Sequence, residues 1–134
     1  MEVVTNKVIS MIETFPQRLI RQARKDSSGQ LAWRSPAVFK VIEAIGANEC
    51  AILGGDVLYA DEDGTLNHWQ GDILCGNWYL NRRTGESWSD YVAQSLIVTR
   101  DYIEAYVQMN GDAYWFLPVF FDEHGYMALP GKQA

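Results

Sequence analysis

The sequence has no apolar run near the ~18 residues a membrane span requires, which excludes a helical membrane protein. Its opening residues, Met1 to Lys7, have no basic stretch followed by an apolar one, so a secretory signal is not expected and a cytoplasmic protein is. Basic residues are scarce, with eleven Lys and Arg against seventeen Asp and Glu and a net charge of -6. That balance lacks the basic footprint of nucleic-acid binding; it suits simple solubility and equally a basic protein partner, and charge alone identifies neither. Cysteine is limited to Cys50 and Cys75, with no CxxC spacing. In a cytosolic chain, two lone cysteines with apolar neighbours read as reduced core thiols. The two histidines, His68 and His124, have neither HxH nor HExxH spacing, so no zinc site is expected.

Catalytic and cofactor signatures are also missing. There is no GxSxG, no P-loop and no GxGxxG, so no cofactor is expected. Gly54-Gly55-Asp56 matches the Gly-Gly-Asp core of cyclic-dinucleotide synthases, but Val57-Leu58-Tyr59 then continues as plain strand. With Gly64 at the sixth position of a calcium loop, the first position would be Tyr59 and the twelfth Gln70, and neither can serve as the required ligand. A Cys–His pair drawn from Cys50, Cys75, His68 and His124 leaves a small cysteine-dependent hydrolase as an alternative.

What is present is core material: 48% of the residues are apolar and 13% aromatic, enough to give a chain of 134 residues one packed domain, 1–134. Val8, Ile9, Ile12, Phe15, Leu19 and Ile20 predict a helix over 6–25, broken or kinked by Pro16. Ser35 as N-cap, Pro36 in the first turn and Gly46 as C-cap delimit a helix over 36–45. Ala51 to Tyr59 reads as a strand with Gly54-Gly55 marking a bulge or a close backbone approach. Asp61-Glu62-Asp63-Gly64 is a hairpin turn, Thr65 to Trp69 the return strand, Gly71-Asp72 a second turn and Ile73 to Leu80 a third strand. Ser87, with Asp90 three residues on, caps a helix of about 22 residues and about 33 Å, stopped at Asn110-Gly111. Tyr114 to Phe121 is a strand whose Pro118 implies an edge or a bulge, and Tyr126 to Leu129 pairs back on it. The expected fold is α+β: a small antiparallel sheet of about 4–5 strands packed against the long C-terminal-half helix, with helices at the N-terminus.

Acids and aromatics cluster in the middle of the chain. Asp56, Asp61, Glu62, Asp63 and Asp72 lie on strands and turns near Trp69, Trp78 and Tyr79. Aromatics beside acids are common at protein interfaces; the same pattern equally fits Trp69 and Trp78 as half-buried sheet residues beside solvated acidic turns.

Ala32-Trp33, Leu53-Gly54-Gly55-Asp56-Val57, Asn77-Trp78-Tyr79, and Ser87-Trp88 with Tyr91-Val92 and Ser95 occur in an order and spacing that resemble the bacterial immunity proteins of the immunity-protein-40 type. The likeness runs from about Leu31 to Tyr106. It implies a non-enzymatic antitoxin of a polymorphic toxin system, used in interbacterial competition, that binds a cognate secreted toxin domain and blocks its active site. Many toxins of such systems are basic and act on nucleic acids, which suits an acidic inhibitor. The expected toxin-facing residues are Asp56, Asp61, Asp63, Trp69 and Asp72. Trp33, Gly54, Gly55, Trp78 and Trp88 are expected to be structural. A small-molecule-binding regulatory module, with a pocket between the long helix and the sheet, is the other alternative.

Overall fold

The computed structural model describes residues 16–124, 127 and 128. Five strands form one antiparallel sheet, and helices cover one of its faces. The central strand is β3, Ala51–Ala60. It pairs along most of its length with β8, Trp115–Phe121. Its other edge takes β7, Asn77–Tyr79, at Gly54 to Asp56, and β4, Leu66–Asn67, at Tyr59 and Ala60. β9, Met127–Ala128, extends the sheet beyond β8.

A bulge in β3 explains its burial pattern. Ile52 pairs with Phe120, but the next pair is Gly54 with Val119, so Leu53 is an extra residue. Side chains alternate along a strand, and one added residue inverts the alternation. Ile52 and Val57, five apart, therefore both join Phe116 and Phe120 in the buried core under the helices. Leu58 and its partner Trp115 fall on the other face, with Ala32, Leu66 and Leu117. The paired glycines mark this place, as their cost in a strand implies. A Cβ on Gly54 would collide with the Trp78 carbonyl, and one on Gly55 with the Trp78 ring.

The N-terminal part departs from expectation. The described part of the first helix is α1, Gln17–Gln22, with Pro16 in the extended N-cap position. The expected helical residues before Pro16 lie outside the described residues. Arg24 and Lys25 are not helical. They form β1, Arg24–Lys25, a hairpin with β2, Leu31–Ala32. The intervening Asp26 side chain accepts the N–H groups of Ser28 and Gln30, a local closure that outcompetes another helical turn. Trp33 then bridges to Phe116 through two backbone hydrogen bonds, joining the hairpin to β8. Its buried indole donates to the Leu19 carbonyl at 2.7 Å.

In α2, Ala37–Ala47, Pro36 holds the cap position with no side-chain cap bond, so Ser35 does not cap it. Gly46 lies inside this helix rather than ending it, where Leu96 of the long helix packs against its bare Cα. The left-handed residue at this end is Glu49, at φ 59°. The long helix α3, Trp88–Asn110, starts where Ser87 Oγ accepts the Asp90 N–H and stops at Gly111, φ 86°. Pro118 costs the β3 ladder nothing. Phe116 turns its N–H and carbonyl to Trp33, so Pro118, two residues on, also points its backbone away from β3.

Candidate functional site

The motif residues near the sheet centre meet a polar stripe on α3. Tyr91, Ser95 and Thr99, four residues apart, occupy one helix face. The Tyr91 hydroxyl donates to the Leu80 carbonyl at 2.7 Å. Ser95 Oγ accepts the Ile52 N–H at the bulge, at 2.9 Å, and donates to the Val92 carbonyl. Thr99 Oγ1 accepts the Trp78 indole N–H at 2.9 Å. Trp78 also stacks on Tyr102, with ring centroids 5.1 Å apart. Trp88 is half-buried, donates to the Glu49 carbonyl and meets Phe121 edge-on. Gly54, Gly55, Trp78, Tyr91 and Ser95 are thus one connected piece of architecture.

On the sheet face away from α3 lies a shallow concavity of about 340 Å³, lined by Leu53, Gly54, Gly55, Asp56, Asn77, Trp78, Tyr79 and Val119. The half-buried Asp56 faces Asn77 across the strand pair there, and exposed Tyr79 forms a wall. A second cavity of about 220 Å³ runs between the end of α2 and the start of α3, lined by Gly46, Trp88, Val92 and Leu96 among others. It lies helix against helix, not in the helix–sheet position a regulatory pocket was expected to take.

The other expected contact residues lie further along. Asp61 and Asp63 occupy the β3–β4 turn, and their carboxylates are already engaged. Asp61 Oδ1 accepts the N–H groups of Asp63 and Thr65, Asp61 Oδ2 accepts the Asn67 amide, and Asp63 Oδ1 accepts the Thr65 N–H. Hydrogen bonding with the Asp61 side chain, then with the Thr65 hydroxyl and N–H, holds the Asp63 carboxyl down at about 2. Glu62 between them is exposed. Asp56 is five residues back along β3 from Asp61, roughly 16 Å at 3.3 Å per residue.

The return strand breaks at His68. After β4 the chain leaves β3 and forms β5, Trp69–Gln70, which pairs with β6, Ile73–Leu74, before β7 begins. The two strands expected here, 65–69 and 73–80, are therefore each divided. Trp69 and Asp72 share this hairpin, Trp69 opposite Leu74 and Asp72 in the turn. Trp69, Ile73 and Leu74 are all exposed. Ile73 and Leu74 were not anticipated as surface residues. The two-residue spacing of Gly71-Asp72 signals a tight hairpin, but nothing local signals that its apolar side chains stand away from the core.

Charge is segregated in the same segment. From Ala51 to Leu80 there are five acidic residues and no Lys or Arg. Among the described residues the ion pair is Lys40–Glu43, at 3.9 Å, so none of the five acids is paired with a described cation.

No group of three or more His, Cys, Asp and Glu among the described residues could hold a metal ion. No disulfide links Cys50 and Cys75. Burial pushes the half-buried Cys75 thiol up, away from the thiolate a nucleophile needs. Burial, then the neighbouring Cys75, Tyr114 and Tyr102, pushes the Tyr106 hydroxyl up to about 12, so it remains a donor to the Cys75 carbonyl. No helix among the described residues is long and apolar enough to cross a membrane.

No curated protein and no solved structure matches the chain. The family model of immunity protein 40 matches residues 25–120. That match begins at the β1–β2 hairpin, ends inside β8 and takes in the bulge, the acidic segment and the polar stripe of α3. It spans well over half of the sequence, and the chain belongs to the immunity protein 40 family.

Proposed function

We propose that this immunity protein acts in the cytoplasm as a non-enzymatic antitoxin. It binds a cognate toxin domain through the acidic, aromatic-containing surface of residues 51–80 and blocks the toxin's active site. The partner is a basic domain, of the kind that acts on nucleic acid. The observation that carries this reading is the segregation of charge: five acids, no Lys or Arg, and four exposed large apolar residues (Trp69, Ile73, Leu74 and Tyr79) in one segment. An unpaired negative field steers a cationic partner and raises its association rate. Exposed aromatics supply the few desolvated anchors that dominate tight interfaces. Asp56, Asp61, Asp63, Trp69 and Asp72 are the proposed contacts, with Asp61 and Asp63 contributing mainly through their charge. The raised Cys75 thiol supports inhibition by binding over a cysteine-dependent hydrolase.

The test is to express the toxin domain encoded beside this gene in a sensitive strain, with and without this protein. Rescue accompanied by a purified complex is the expected result. Rescue without a complex would mean that the toxin's chemistry is reversed by an enzyme. Glu62→Gln and Asp72→Asn should slow association at low salt and flatten its salt dependence. Glu62 is the better turn position for that measurement, because Asp61 and Asp63 are engaged in the turn itself.

A further inference from the structure

The hairpin formed by β5 and β6 is an unusual use of apolar side chains. Trp69, Ile73 and Leu74 are 54%, 70% and 45% exposed, within six residues of chain. A two-stranded hairpin of this length is marginal by itself, and burying those side chains against the body would be favourable. Instead the hairpin is held in place from behind. The Cys75 N–H donates to the His68 carbonyl at 2.8 Å, adding a rung at its base. The Tyr106 hydroxyl donates to the Cys75 carbonyl at 2.8 Å, and the Tyr114 hydroxyl to Gln70 Oε1 at 2.7 Å. The two tyrosine rings meet edge-on, 5.2 Å apart, so both tethers belong to one packed unit. Gly71, at φ 68°, permits the two-residue turn that carries Asp72.

We propose that this hairpin is the anchor of the immunity interface, and that its tip enters an apolar cleft of the toxin domain flanked by Lys or Arg. The inference rests on the immunity reading and adds the contacting element and the chemistry of the surface it meets. Preorganisation is the physical argument. A hairpin backbone already tethered in one conformation loses little freedom on binding, so more of the burial of its side chains appears as affinity. Trp69 and Leu74, paired across the hairpin, form the apolar wedge, and Ile73 presents the opposite side. Charge selects the occupant. Asp72 sits at the tip, Asp61, Glu62 and Asp63 occupy the β3–β4 turn, and no Lys or Arg lies between residues 51 and 80. Flanking cations would therefore be matched. A second copy of this chain would bring the same acids and the same net charge of -6 against itself.

The experiment measures association and dissociation of the full chain with the toxin domain encoded beside it, using Trp69→Ala, Ile73→Ser and a control, Met109→Ser, on α3. Met109 is 83% exposed and outside the hairpin. Each hairpin variant should dissociate roughly 30-fold faster or more, the loss typical of a hot-spot residue, while the control stays at the wild-type rate. Thermal melts separate any loss of folding from loss of binding. Amide hydrogen exchange of the wild-type complex provides a readout without substitution and should show new protection over residues 69–75. A stable complex whose dissociation is unchanged by both hairpin variants, or whose new protection lies elsewhere, overturns the hairpin proposal and leaves the immunity reading standing. A chain that dimerises alone through Trp69 would reassign the hairpin to a second copy and overturn it too. Absence of any complex with wild-type protein would overturn both readings.

Discussion

The Ser95 hydroxyl and the Ile52 N–H meet at 2.9 Å inside the protein, where β3 bulges beneath α3. The bulge interrupts the ladder at Leu53, and a side chain fully buried on the helix supplies an acceptor there. Ser95→Ala removes that acceptor and strands a buried donor, which costs about 1–3 kcal/mol. Thr99→Val does the same to the Trp78 indole. Urea unfolding should give a lower midpoint for each variant with an unchanged slope.

Gly55 cannot accept a side chain without displacing its neighbours, because a Cβ there would strike the Trp78 ring and the Leu117 carbonyl. Gly55→Ala should destabilise the protein by about 1–3 kcal/mol, the usual range for overpacking. Thermal melting measures this directly. Tryptophan fluorescence should change with it, since the collision moves the ring that stacks on Tyr102.

The β3–β4 turn should respond to acid through Asp63. Its carboxyl ionises at about 2 in the folded protein against an ordinary value of 3.8. A depressed folded value means that the charged form is the one the fold favours. The contribution is complete above about pH 4 and is lost as pH falls through about 2. Carboxyl titration by NMR should find that value, and Asp63→Asn should remove this part of the stability change between pH 4 and 2.

Cys75 should be slow to alkylate. Burial raises its thiol, so less thiolate is present at pH 7 than for a free cysteine. Iodoacetamide at neutral pH should label it more slowly than a cysteine in a short peptide. Cys75→Ser should leave toxin neutralisation intact. Fast labelling together with lost rescue would restore the hydrolase alternative.

Local signals were readable where the chain's chemistry acts on its immediate neighbours. The Ser87 cap, the Gly111 stop and the hairpin turn at Asp61 to Gly64 depend on residues a few positions apart. Local signals failed where a distant partner intervened. Gly46 looked like a helix stop, yet it lies inside α2 because Leu96, fifty positions later, fills the space above it. Arg24 and Lys25 fell inside the helix expected over 6–25, but they pair with β2 instead.

The sequence by itself determined the α+β class, the order of the main elements, the net charge and the concentration of acids between Ala51 and Leu80. Those properties follow from periodicity, turn chemistry and composition, which are summed along the chain. Tertiary structure alone decided which polar residues of α3 face inward, because Ser95 and Thr99 are buried only where a bulged N–H and an indole await them. It also decided that Ile73 and Leu74, read as part of a strand, join Trp69 in water. A hydrophobic side chain carries no sign of where it will lie, and these three were left outside when the return strand broke at His68 and the tyrosines of α3 and the segment before β8 fixed the hairpin away from the core.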